Sequence, residues 1–187
     1  MEYFQNIRKR VGEYYLLKQH SRYTRTRTIM NLDRAINIGI LYCGDNPDEV
    51  EFIKNYVQTL RNLGKQVKSL GFIHVKELPL GLNGSMMHQY YALKELNWYY
   101  KPSSQFIDNF VNDEFDILMD FGIPSQLPIK FISSMSNAKC KVGRFEQKYV
   151  DFYDVMIESD ENKNLEYVVK TTHDYMTVLN KKAIDII

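Results

Sequence analysis

The chain has 187 residues with 24 Lys and Arg against 23 Asp and Glu, a formal charge of +1. Its 44% apolar and 25% charged residues are ordinary for a packed protein and exclude disorder and fibrous repeats. A chain of this length can bury roughly 70% of its unfolded surface in one core. No apolar run is long enough to span a bilayer, and the first ten residues carry no apolar leader, so no membrane span or secretory signal is expected. Cys43 and Cys140 make no disulfide framework, and reduced thiols in a cytoplasmic setting are the simpler expectation.

The even charge balance conceals an asymmetry. Residues 1–34 hold eight basic side chains and three acids, whereas the rest holds sixteen and twenty. Phe4, Ile7, Val11 and Tyr14 or Tyr15 recur at helical spacing, although Gly12 costs about 1 kcal/mol against Ala. Residues 21–28 are rich in Thr and Arg without a helical period and read as an extended basic arm. The division expected is therefore a basic helix and arm over residues 1–33 and an α/β domain over 34–187.

Residues 36–43 form a short β-type run that ends in Gly44-Asp45-Asn46-Pro47-Asp48-Glu49. That hexapeptide is a helix start: Asn46 caps, Pro47 suits the first turn, and Asp48 and Glu49 complement the dipole. The helix points Val50, Ile53, Val57 and Leu60 inward and stops at Gly64. Residues 66–74 supply a second strand, and 79–85 a loop. Residues 86–101 show no clear period but crowd Tyr90, Tyr91, Trp98, Tyr99 and Tyr100 together. Ser103 or Ser104 opens a helix through Phe106, Ile107, Phe110 and Val111. Residues 115–121 are apolar enough for a buried parallel strand. A loop with Gly122 and Pro124 leads to a helix bearing Ile129, Ile132 and Met135. Residues 139–143 and 154–158 read as strands, and 165–179 as a closing helix. Strand–helix repeats of this kind predict a three-layer, Rossmann-like or flavodoxin-like α/β fold with about five mostly parallel strands.

Phe115-Asp-Ile-Leu-Met-Asp-Phe-Gly, the Pro-containing loop after it, and Ser136-Asn-Ala-Lys-Cys-Lys-Val-Gly-Arg-Phe145 together resemble part of the N-terminal half of lipopolysaccharide heptosyltransferases, over residues 115–145. The match contains no catalytic element. Gly44-Asp45-Asn46-Pro47 replaces that family's glycine-rich acceptor loop, and no stretch remains for a donor domain, so a glycosyltransferase-derived protein would need a partner half. The whole chain is more similar to a family of short uncharacterised bacterial proteins grouped as a domain of unknown function. A basic helical start, Asn97-Trp98, Lys101-Pro102, Phe115-Asp116-Ile117-Leu118, Lys141-Val142-Gly143 and Tyr153-Asp154-Val155-Met156-Ile157 carry that likeness. The resemblance implies a Rossmann-like fold and no established activity.

In a doubly wound sheet, ligands sit where the strand order reverses, at the carboxyl ends of the strands. That rule nominates Gly44, Asp45, Asn46, Asp120, Gly122 and Ser125 as a crevice. Asp45 and Asp120 are candidate Mg²⁺ ligands through which a phosphate would be held; the plainer reading makes Asp45 and Asn46 a helix cap. Without a cation the acids of these loops would repel a phosphate. Neither G-x-G-x-x-G nor a P-loop occurs, and the histidines and cysteines lack zinc spacing. Residues 81–85 could make an anion nest, and Ser85 with His88 a nucleophile pair, but a plain turn is the better reading. The aromatic group of Tyr90 to Tyr100 either stacks on a ligand or covers a margin of the core.

Arg8, Lys9, Arg10, Arg22, Tyr23, Arg25 and Arg27 are the candidate partner-binding residues. The leading expectation is a non-enzymatic cytoplasmic binding or scaffold protein whose basic N-terminus engages a protein complex or RNA, including the ribosome. A domain that binds a nucleotide, sugar nucleotide or phosphate at the crevice is the alternative.

Overall fold

The computed structural model describes residues 2–20, 24–80, 82, 84–158 and 164–180. The elements run α1 (Glu2–His20), β1 (Asn37–Cys43), α2 (Pro47–Asn62), β2 (Gln66–Phe72), β3 (His88–Tyr91), α3 (Gln105–Asn112), β4 (Ile117–Asp120), α4 (Leu127–Met135), β5 (Cys140–Arg144), β6 (Val155–Ile157) and α5 (Leu165–Val178). Short 3₁₀ turns occupy Leu93–Glu95 and Gln147–Phe152.

The six strands form one all-parallel sheet in the order β3-β2-β1-β4-β5-β6, which is the Rossmann order. The expected five strands become six because β3 was not legible. Its sequence, His-Gln-Tyr-Tyr, has no β-branched residue, and it pairs with β2 alone at the sheet margin. β1 and β4 are buried on both faces, as central strands of a parallel sheet must be.

Strand alternation divides the core in two. Ile38, Ile40, Ile117, Met119, Cys140 and Val142 pack toward α2 and α5. Leu41, Leu70, Leu118 and Tyr91 pack toward α3 and α4, and Leu16 of α1 joins them. α2 starts as its sequence dictates: Asn46 accepts from the Asp48 N–H at 3.0 Å, and Gly64 closes the far end at φ +81°.

α1 lies against α4 rather than apart from the sheet. A Cβ on Gly12 would fall 2.5 Å from the Tyr99 carbonyl oxygen, so the glycine that weakens the helix is what admits it to this surface. Downstream, the Thr28 N–H donates to the Lys139 carbonyl at 3.0 Å and the Leu32 N–H to the Met176 carbonyl at 2.8 Å. At the amino edge of the sheet, Asp116 Oδ2 accepts from the N–H groups of Ile36 (2.8 Å) and Asn37 (3.0 Å), while Oδ1 meets Lys139 Nζ at 2.9 Å. Burial alone would raise the Asp116 pKa; these donors outweigh it and hold it below the usual value.

Candidate functional site

The strand order reverses between β1 and β4, and the Phe121 N–H donates to the Leu41 carbonyl at 2.8 Å. The loop at Gly44–Asn46 therefore lies beside the loop that runs from Gly122 to Ser125. A cleft of about 410 Å³ opens at this carboxyl edge. Phe72, His74, Ser125 and Gln126 line it from the sheet side, and Lys9 and Tyr100 from the other. Gln5, Asn6 and Lys9 complete the rim from α1; of the residues nominated for the crevice, Ser125 lines this cleft, whereas Gly44, Asp45, Asn46, Asp120 and Gly122 do not.

Tyr100 stands in the left-handed region at φ 69°, a strained conformation for a bulky residue. The turn that holds it is built by Asn97, whose Oδ1 accepts from the N–H groups of both Tyr99 and Lys101 at 3.0 Å. Arg8 lies over the Tyr100 ring, 4.5 Å from its centroid, and its Nε donates to the Trp98 carbonyl at 2.5 Å. Tyr15 stacks on Tyr99 at 4.8 Å. The late aromatics are thus the saddle on which α1 sits, while Tyr90 and Tyr91 are buried in β3.

Asp45 and Asp120, both nominated for the crevice, have different surroundings. Asp45 Oδ1 accepts from the His74 N–H at 2.5 Å and Oδ2 from the Cys43 thiol at 3.2 Å, which ties the β1 loop to the end of β2. Burial pushes the Cys43 thiol up to about 11, so it is no nucleophile at neutral pH. Asp120 is 1% exposed. Its Oδ2 receives Lys130 Nζ at 2.9 Å, Ser133 Oγ at 2.5 Å and the Tyr153 hydroxyl at 2.5 Å, and its Oδ1 the Gly122 N–H at 2.9 Å. Three donors converge on Oδ2 and one on Oδ1, so this carboxylate is engaged by Gly122, α4 and Tyr153 inside the fold. Among the described residues no three His, Cys, Asp or Glu side chains are grouped to hold a metal ion. Tyr153 reaches Asp120 only because residue 143 is Gly: a Cβ there would come within 2.7 Å of the ring carbon that carries the hydroxyl. Burial, and then Asp120, keep that hydroxyl protonated as a donor.

Sequence reasoning passed over Arg144 at the end of β5. It is 6% exposed and its Nε has no partner among the described residues. Alternation places it on the α2 face of the sheet, where burial opposes its charge and Asp120 and then Glu49 favour it. A basic residue ending a strand gives no periodic signal, so only its neighbours mark it.

The other nominated residues divide. Arg25 is buried against Asp154 at 2.6 Å and also donates to the carbonyls of Ala138 and Lys139. Arg27 donates to the Asp151 carbonyl at 2.9 Å with its side chain half exposed. Lys9 and Arg10 are exposed, and Arg22 and Tyr23 lie outside the described residues, as do Gly81 and Asn83. Ser85 accepts from the N–H groups of Met87 and His88, and the His88 ring meets Ser69 at 2.8 Å, so Ser85 serves a turn.

Residues 8–179 match a family of unknown function (DUF6913). The chain belongs to that family. No curated protein and no solved structure matches it. The likeness of residues 115–145 to heptosyltransferases therefore has no support beyond β4, α4 and β5, one strand–helix–strand unit that any doubly wound sheet contains. No helix of the described residues is long and apolar enough to cross a membrane.

Proposed function

We propose that this chain is a small-molecule-binding domain that holds a nucleotide, sugar nucleotide or related phosphorylated ligand in the cleft at the carboxyl ends of β2 and β4. The observation that carries this reading is the place of the cleft: it opens where the strand order reverses, with the strained Tyr100 on its rim. Leu93, Tyr100 and Ile123 offer apolar surface to a base or sugar ring, and Lys9, Ser125 and Gln126 offer polar groups to its substituents. Since no glycine-rich turn is present, a phosphate would be met by Lys9 rather than by a nest of backbone amides.

Binding of a macromolecular partner through the basic N-terminus has less to work with. Arg8, Arg25 and Arg27 have partners in the same chain, and among the described candidate residues Lys9 and Arg10 are exposed, with Arg27 half exposed.

The test is a thermal-shift and calorimetric panel of nucleoside phosphates, nucleotide sugars and inorganic phosphate, with and without Mg²⁺. A saturable shift is expected for at least one ring-bearing phosphate, weakened about tenfold or more in Lys9→Glu, a loss typical of one charge-assisted contact. A flat panel overturns the reading.

A further inference from the structure

A second pocket, of about 240 Å³, lies at the opposite, amino edge of the sheet. It forms between the segment after α1 and the end of α4, and is lined by His20, Arg25, Arg27, Ser136, Asn137 and Lys141. Three of these are cations. The carboxylate that answers them is Asp154, which is already engaged: it holds Arg25 at 2.6 Å, approaches Arg27 at 3.8 Å and accepts the Lys141 N–H at 2.8 Å.

Lys141 is 1% exposed. Its ammonium donates to the Ser133 carbonyl at 2.7 Å and to the Ser134 carbonyl at 3.4 Å, offsetting the negative end of α4. An ammonium has three N–H donors, and among the described residues these two carbonyls are its hydrogen-bond partners. Burial, together with Arg25 and Arg27, pulls its pKa down to about 7, the behaviour of a charge short of a counter-ion. His20 lies tilted against Phe152, ring centroids 4.2 Å apart, and its Nδ1 is buried without a partner among the described residues.

We propose that this pocket binds a phosphate-type oxyanion, either free or as the terminal group of a small molecule. Arg27 and Lys141 supply the charge, and Asn137 and Ser136 line the mouth. The pocket has room for a phosphate and little more than a small carbon skeleton. The site is independent of the carboxyl-edge cleft, because the two sit at opposite ends of the strands and share no lining residue.

The experiment is calorimetry with inorganic phosphate, and with a small phosphomonoester in parallel, at constant ionic strength set by chloride. The expected result is saturable binding of one phosphate, weakened at least tenfold in Arg27→Ala and in Lys141→Met and unchanged in Lys54→Ala, a half-exposed α2 residue that lines neither pocket. Asn137→Asp, an exposed change that brings a negative charge to the mouth, keeps the fold intact and is expected to abolish binding. Tighter binding of the ester than of phosphate identifies the terminal group of a small molecule as the ligand; equal binding identifies the free ion. Stabilisation no greater than that by chloride, or binding lost in Lys54→Ala but kept in Asn137→Asp, overturns the proposal.

Discussion

Arg25 and Asp154 meet at 2.6 Å across 129 positions of chain, with side chains 8% and 4% exposed. This pair fastens the segment after α1 to the start of β6, and Asp154 also accepts the backbone N–H of Lys141 at 2.8 Å. Breaking such a pair from one side leaves a buried charge and typically costs about 3–5 kcal/mol. Arg25→Met is expected to lower stability by that order in denaturant unfolding and to expose residues 24–30 to protease. In Arg25→Met/Asp154→Asn the loss should be smaller than the sum of the single losses, because both remove one interaction. Additive losses would show that the pair does not hold the segment.

Gly12 gives a prediction of opposite sign to helix propensity. Gly12→Ala gains about 1 kcal/mol for an exposed helix. Here the new methyl would meet the Tyr99 carbonyl at 2.5 Å and Leu127 at 3.0 Å, and a backbone oxygen cannot turn aside. Overpacking of this kind costs about 1–3 kcal/mol, so a net loss is expected. A rise in melting temperature would mean that α1 does not dock on this surface.

Lys141 makes stability depend on alkaline pH. Its folded pKa near 7 lies below the unfolded value of 10.5. Between those values the unfolded chain binds the proton and the folded chain does not, so stability rises as pH climbs from about 7 toward 10.5. Below about 7 both states are charged and the penalty is complete, about 5 kcal/mol at most. In Lys141→Met this slope should vanish, and the variant should be the more stable protein at pH 6. A wild-type profile flat from pH 7 to 10 would refute it.

The closed group around Asp120 behaves as a unit. Lys130→Met removes the ammonium bonded to the buried carboxylate and is expected to cost about 3–5 kcal/mol, whereas Asp120→Asn/Lys130→Met should recover part of that. Tyr153→Phe removes one donor of several and should cost about 1–3 kcal/mol. Urea melts of the four proteins decide it; a double variant worse than Lys130→Met alone would deny the coupling.

Much of the scaffold was legible from the chain alone. Asn46-Pro47 with Gly64 marked both ends of α2, because caps and positive φ are local requirements. The apolar runs of β1 and β4 declared a sheet covered on both faces, since no half-exposed strand tolerates them. Those signals also put the Gly44 and Gly122 loops side by side at the reversal. β3 stayed hidden because four residues at a sheet margin obey their neighbour's register more than their own propensity.

The composition and local pattern of this chain determined a parallel, doubly covered sheet with a basic leading helix. Only the tertiary structure decided where the charges went. Arg25 met Asp154, Lys130 met Asp120, and Lys141 was buried beneath two arginines, and none of these outcomes has a periodicity. Periodicity records which face of an element is dry, a property of neighbours along the chain. Whether a charged side chain is free to bind or is spent inside depends on a counter-charge supplied from elsewhere in the fold, here as far as 129 positions away.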